Sequence, residues 1–249
     1  MIIKDFSSVD VSRVRLIAFD LDGTLTQHRS PLEDANRAVL DALGKRYRLI
    51  MVGAGQSRRI YGQMGEYPID ILGNYGLQYA KYDADACDLR IIRDSVLPCE
   101  RESVAERIEM LRREFGFTEY AGESVEFHPS GCVTFPLLGK QAKIEDKLAF
   151  DPDRSRRKPI WPRVCEVFPE YTVFIGGSSS FDFVPAPYDK YAALDRLCRE
   201  EGLEHDQIVY VGDDYGEGGN DEAVAKSDIA FVTVDDYRTL PERLAFLLK

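Results

Sequence analysis

No long apolar run occurs in the sequence. Segments such as Leu16–Phe19 and Ile208–Val211 are short, far from the ~20 apolar residues that a membrane helix needs. Met1-Ile2-Ile3-Lys4-Asp5 carries an acid early and has no apolar leader core, so a soluble protein that stays in the cytoplasm is expected. Basic charge is also in short supply. There are 32 Lys+Arg against 43 Asp+Glu, a net charge of −11, which argues against a nucleic-acid duplex as the main partner. The 5 cysteines are odd in number and none forms a C-x-x-C pair, which excludes a disulfide framework and a zinc knuckle. Free thiols, buried or half-buried, are expected instead. The 3 histidines make no H-E-x-x-H pattern. Gly53-Ala54-Gly55-Gln56-Ser57-Arg58 lacks the last glycine of a dinucleotide fingerprint, and no G-K-[ST] phosphate loop occurs. An EF-hand loop fails on spacing: started at Asp20 it would place Leu25 and Pro31 where Gly and Glu are required.

What is present is a globular composition of 249 residues, 44% hydrophobic and 30% charged, enough for one large domain or two small ones. Short apolar, β-branched runs at Val14–Phe19, Tyr47–Val52 and Asp70–Leu72 alternate with helical patterns at Glu33–Leu43 and Ser57–Met64. That rhythm implies a parallel sheet covered on both faces. It changes near Asp83. A charged helix over Glu100–Phe115 is followed by strands at Val125–Phe127 and Cys132–Leu137, helices at Gln141–Phe150 and Ile160–Phe168, and strands at Tyr171–Ile175 and Ser180–Val184. The basic run Arg154–Lys158 within it reads as a solvated loop. The alternation then resumes with a helix at Tyr191–Glu201, a strand at Gln207–Val211, a helix at Asn220–Lys226, a strand at Ile229–Val232 and a last helix at Arg238–Leu248. The expected architecture is an α/β core with a Rossmann-like parallel sheet, residues 1–83 and 187–249, interrupted by an inserted α+β module over residues 84–186.

Ligands of open parallel sheets bind beyond the carboxyl ends of the strands. Asp20-Leu21-Asp22-Gly23-Thr24 follows the first strand, and Gly212-Asp213-Asp214, then Gly218-Gly219-Asn220-Asp221, follows the strand that ends at Val211. Carboxylates crowded on one sheet edge repel one another, and a hard divalent cation with oxygen ligands, Mg²⁺, relieves that. In an i, i+2 pair at a strand end both side chains start on one face. Asp20 can then touch the metal and attack phosphorus while Asp22 handles protons. Gly23 and Thr24 turn backbone N–H groups toward an anion, and Lys190 balances charge on the transferring group.

These residues resemble the haloacid dehalogenase superfamily of phosphotransferases. Asp20–Thr26 resembles its first motif, Lys190 its third, Gly212–Asp221 its fourth, and the insertion its larger α/β cap type. Within it the sequence is most similar to the eukaryotic-type phosphomannomutases, through Asn74–Leu77, Val125–Phe127, Gly176–Asp182 with Pro185, and Asp189-Lys190. The resemblance implies Asp20 as nucleophile and metal ligand, and Asp22 as general acid/base with its carbonyl on the metal. Asp213 would complete the metal site, supported by Asn220 and Asp221. Arg29 would meet substrate, the second-motif turn at Gly55 would contact it, and Ser180 and Asp182 would touch sugar on the cap. Two departures stand out. The three arginines with which the mutase cap grips a distant phosphate are matched by His128, Lys140 and Lys147, and lysine lacks the bidentate fork of arginine. Ala54 stands where phosphatases of the superfamily carry a hydroxyl, leaving Gln56, Ser57 or backbone N–H groups for that contact. A simpler origin exists for some of these residues: Lys140 and Lys147 as solvated helix charges, Arg29 as a partner of Glu33, His128 as a turn residue.

The function expected is a Mg²⁺-dependent phosphatase of a small phosphorylated metabolite of the sugar phosphate kind. The alternative is a phosphomannomutase, and a non-catalytic phosphate-sensing module is a third. No nucleic-acid or membrane partner is expected, and the resemblance leaves room for a homodimer through the cap.

Overall fold

A computed structural model describes Ile2 and residues 9–249. Apart from Ile2, the N-terminal stretch read above as lacking a leader lies outside the described residues. The chain forms two compact units: residues up to Asp94 with Lys190–Gly216 and Asp221–Lys249, and a second of Ser95–Asp189 with Glu217–Asn220. In chain order the first unit opens with β1 (Leu16–Phe19), α1 (Asp34–Leu43), β2 (Arg48–Val52), α2 (Ser57–Gln63), β3 (Asp70–Gly73), β4 (Gln78–Asp83) and β5 (Asp88–Asp94). The second carries α3 (Arg101–Phe115), β6 (Glu126–Phe127), β7 (Val133–Pro136), α4 (Ile144–Phe150), α5 (Trp161–Val167), β8 (Tyr171–Phe174) and β9 (Ser180–Pro185). The first resumes with α6 (Lys190–Glu201), β10 (Ile208–Gly212), α7 (Glu222–Lys226), β11 (Ala230–Thr233) and α8 (Leu240–Leu244). Among the described residues no helix is long and apolar enough to cross a membrane.

The first unit is a seven-stranded sheet in the order β11-β10-β1-β2-β3-β4-β5, parallel from β11 to β3 and antiparallel beyond. All four residues of β1 are fully buried, as the uninterrupted apolar run requires of a strand with both faces covered. Ile17 and Phe19 pack on one face with Val39, Leu40 and Leu43 of α1, while Leu16 and Ala18 pack on the other with Leu194 and Leu197 of α6. Full burial of one such large apolar side chain is worth about 1.5–3 kcal/mol.

The inserted module was expected to begin at residue 84; the observed boundaries are Asp94/Ser95 and Asp189/Lys190. The reason is β5. Asp83 closes a tight turn by accepting hydrogen bonds from the N–H groups of Asp85 and Ala86, at 3.1 and 3.2 Å. The chain then returns antiparallel along β4 and extends the core sheet. The last helix also differs from expectation. Arg238–Leu248 is broken into 3₁₀ turns at Tyr237–Thr239 and Ala245–Leu248 around α8, whose first turn holds Pro241, a residue without an N–H to continue a helix from before.

The second unit is a four-stranded antiparallel sheet, β6-β7-β9-β8, with α3 and α5 packed on one face. Phe135, Phe181 and Phe183 face that core; Thr134, Ser180 and Asp182 alternate to the opposite, half-buried face. Arg157, inside the run expected to be solvated, is 1% exposed. Its guanidinium pairs with Asp151 at 2.7 Å and donates to the carbonyls of Gly176 and Ser180. It folds inward because that buried carboxylate and those carbonyls satisfy it. Cys198 is buried and three other thiols are half-buried as expected, whereas Cys87 is exposed on the β4–β5 turn.

Candidate active site

The sheet order reverses at β1: the chain moves outward to β2 on one side and later returns to β10 on the other. A crevice opens at the carboxyl ends of such a pair because the following loops diverge. Asp20 follows β1 and Asp213 follows β10, so the topology itself brings the two acids together. Lys190, the first residue of α6, is fully buried and bridges Asp20 to a third acid, Asp221. Its Nζ lies 2.5 Å from Asp20 Oδ1 and 2.7 Å from Asp221 Oδ1. Asp221 is also held by the Tyr210 hydroxyl on Oδ1 at 2.5 Å and by the Asp214 N–H on Oδ2 at 3.0 Å. Thr24 Oγ1 donates to Asp213 Oδ1 at 2.8 Å. Gly23 adopts φ +100°, and a Cβ there would fall 2.4 Å from Asp213 Oδ2, so the turn requires glycine on both counts.

Asp22 stands apart from this group. Its Oδ1 accepts from the Arg29 N–H and from Gln63 Nε2, each at 2.7 Å. Arg29 has φ +57°, a conformation that aims its amide at Asp22. It thus enters the site through its backbone, and Glu33, its suggested partner, accepts instead from the Tyr237 hydroxyl at 3.0 Å. The Arg59 guanidinium lies 3.7 Å from Asp22 Oδ2 and donates to Gln63 Oε1 at 2.8 Å. Arg59 extends over Gly55, where a Cβ would meet the guanidinium at 2.4 Å. Gln56 is exposed, and Ser57 is fully buried with its N–H given to Gln78 Oε1.

Burial pushes the Asp20 carboxyl well above its usual range, with Asp213 and Asp221 adding to the effect and Lys190 opposing it. Burial, reinforced by Asp221, pushes Asp213 up to about 6 against the Thr24 donor. Burial works against the charge of Lys190, but Asp20 and Asp221 outweigh it and keep it an ammonium. At Asp22 burial is outweighed by the Gln63 and Arg29 donors, which hold the carboxyl below its ordinary range.

One carboxylate oxygen from each of Asp20, Asp213 and Asp221 lies within 4.8 Å of the other two. Three carboxylates beside one ammonium leave two negative charges in a mostly buried place. Hard oxygen donors with that excess fit a divalent cation. Asp221 already accepts from Lys190, Tyr210 and Asp214, which suits it to fixing Lys190 rather than to ligation. Asn220 is its half-buried neighbour in the loop.

In the second unit Glu126, Thr134 and Asp182 lie in register across β6, β7 and β9. His128 Nε2 contacts Thr134 Oγ1 at 3.1 Å, and Thr134 donates to Asp182 Oδ1 at 3.1 Å. Asp182 packs over Gly176, where a Cβ would lie 2.0 Å from its Oδ2. Ser180 donates to the Gly176 carbonyl at 3.1 Å. Lys140 is exposed and sits 3.2 Å from Glu126 and 3.4 Å from Glu123. Lys147 donates to the Lys140 carbonyl at 2.8 Å.

A family model described as eukaryotic phosphomannomutase matches residues 111–239, more than half of the chain. The chain belongs to that family, within the haloacid dehalogenase superfamily. It is therefore a phosphotransferase of the haloacid dehalogenase type. A probable phosphomannomutase of Caenorhabditis elegans is 26% identical over 241 residues, covering 84% of this chain and 85% of that protein. Among solved structures, Plasmodium falciparum IMP-nucleotidase is similar with TM-score 0.68 and 13% identity, over 94% of this chain and 68% of that one. A Bacteroides thetaiotaomicron phosphatase of the same superfamily is similar with TM-score 0.61 and 15% identity, over 95% and 96%. At these identities the solved structures show the fold.

Reading the sequence of this family member missed three side chains of the site. Tyr210 is hidden inside an apolar strand run that carries no polar signal. Arg59 and Gln63 are spaced i, i+4 on α2, a pairing visible in the sequence, but their convergence on Asp22 depends on where α2 sits.

Proposed function

We propose that the chain is a Mg²⁺-dependent phosphatase of a small phosphorylated metabolite of the sugar phosphate class. In this reading Asp20 attacks phosphorus, the ester P–O bond breaks, and Asp22 protonates the leaving oxygen. Asp22 then removes a proton from water, which attacks the aspartyl-phosphate, releases inorganic phosphate and restores Asp20. Lys190 holds Asp20 in place and offsets negative charge beside it. Asp20, Asp213 and the Asp22 carbonyl would hold Mg²⁺, whose chemistry is to stabilise charge on the transferring phosphoryl oxygens. Gly23, Thr24 and Gly55 would line the phosphate, and Ser180 and Asp182 would read hydroxyl groups.

The observation that favours hydrolysis is Lys140. A mutase must grip a second phosphate while its sugar bisphosphate turns over. Here the cation at the clamp position lies against Glu126 and Glu123, and Lys147 donates to the Lys140 carbonyl. A phosphate dianion there would meet two carboxylates. The family match supports the second reading, interconversion of mannose 6-phosphate and mannose 1-phosphate.

Purified protein with Mg²⁺ is expected to release phosphate from 4-nitrophenyl phosphate, and Asp20→Asn to abolish that release; turnover that survives the substitution refutes the nucleophile. Mannose 1-phosphate with a catalytic amount of hexose 1,6-bisphosphate separates the two readings. Free phosphate is expected, and accumulation of the 6-phosphate without it establishes the mutase.

A further inference from the structure

Gln63 makes its hydrogen bonds in a fixed sense. Arg59 can only donate, so its 2.8 Å contact places Oε1 of Gln63 on the Arg59 side. The amide nitrogen is thereby turned toward Asp22 Oδ1 at 2.7 Å and Thr26 Oγ1 at 3.1 Å, using both of its hydrogens. Thr26 in turn contacts the Leu21 carbonyl at 3.4 Å, which leaves its oxygen as the acceptor for Gln63. The amide is half-buried and tied at both ends, so its rotamer is set by the packed end of α2. The two oxygens of Asp22 consequently differ. Oδ1 is filled by two N–H donors, from Gln63 and Arg29, whereas Oδ2 has the more distant Arg59 guanidinium at 3.7 Å, and the charge of His28 also acts on the carboxyl.

We propose that Gln63, oriented by Arg59, is the positioning residue for Asp22: it fixes Oδ1 and so reserves Oδ2 for passing a proton to and from the reacting oxygens. The inference rests on the acid/base reading of Asp22 given above. A carboxyl free to rotate about its Cβ–Cγ bond would present either oxygen, whereas one anchored through Oδ1 presents a single oxygen along a single direction. Anchoring of this kind acts on proton transfer and leaves the attack by Asp20 alone.

That distinction sets the test. A 4-nitrophenolate leaving group departs with little need of a proton, whereas a sugar alkoxide cannot. Release of the leaving group is measured in single turnovers, with enzyme in excess and Mg²⁺ present, for 4-nitrophenyl phosphate and mannose 6-phosphate. Gln63→Met keeps the volume and removes both donors. It is expected to slow the sugar ester by about 30- to 100-fold, up to the lower end of the ~10²–10⁴ range of general acid catalysis because Asp22 itself is still present, and the aryl ester by less than about threefold. Asp22→Asn should show the same preference more strongly. Arg59→Met, at an exposed side chain, should show it more weakly and serves if Gln63→Met does not fold. Equal losses on both esters, or none, in Gln63→Met and Arg59→Met, with the Asp22→Asn preference intact, overturn the role of Gln63 alone. Loss of that preference in Asp22→Asn itself overturns the acid/base reading and the role of Gln63 with it.

Discussion

Lys190 joins the two acids that would otherwise face each other unpaired. Its ammonium is fully buried and bonded to Asp20 and Asp221, and Asp221 is in turn braced by Tyr210. Removing one partner of a buried charge group leaves the rest uncompensated, which typically costs about 3–5 kcal/mol. Lys190→Met is therefore expected to lower stability by about that amount at pH 7.5 in urea unfolding, and to reduce phosphate release by at least about 10². The loss of stability should be smaller at pH 5, because Asp20, whose carboxyl burial already pushes up, can then take a proton. Equal destabilisation at both pH values would show that Asp20 and Asp221 do not carry the uncompensated charge.

At the scale of elements, Arg112 secures α3 to its sheet. Its guanidinium is buried and donates to the carbonyls of Phe117, Ser124, Pro136 and Leu137, at 2.6–3.0 Å. These carbonyls belong to the turn after α3, the segment before β6 and the end of β7, so one guanidinium ties α3 to three stretches of chain. A buried carbonyl left without its donor costs about 1–3 kcal/mol. Arg112→Met is expected to destabilise the protein by about 3 kcal/mol or more, seen as a lower midpoint in urea unfolding. A change below about 0.5 kcal/mol would mean that water satisfies those carbonyls instead.

For the whole molecule, a cation held by the carboxylate group would couple its binding to folding. Asp213 has its pKa pushed up to about 6, so the fold favours its protonated form. The stability this contributes is complete below the ordinary carboxylate range and is lost as pH rises through about 6, at most about 3 kcal/mol by linkage. A divalent cation requires the ionised form. Addition of Mg²⁺ is therefore expected to raise Tm little at pH 5 and by several degrees at pH 7.5, with chelation reversing the gain. A shift that is larger at pH 5, or that persists in Asp213→Asn, would place the cation elsewhere.

Much of this was legible in the chain itself. The apolar runs before Asp20 and Asp213 read as buried strands, and strands of that kind deliver their following residues to one edge of a parallel sheet; that the two carboxylates are neighbours on that edge is set by the pairing of β1 with β10. The helix expected over Glu100–Phe115 was equally plain, and the structure ends it at Gly116 in the left-handed conformation. The β4–β5 hairpin escaped notice because the charges of β5, at Asp88, Arg90, Arg93 and Asp94, break the period-two alternation, and it is cross-strand pairing that makes it a strand. Arg157 and Lys140 show the same limit from the side of charge: one basic residue of a polar run is drawn inside by Asp151, and another is neutralised by Glu123 and Glu126. Which residue types stand at a strand end is a property of the sequence. Which of them meet a partner from a distant segment, as Gln63 meets Asp22 and Tyr210 meets Asp221, is decided only when packing fixes the distance between elements that the chain order leaves open.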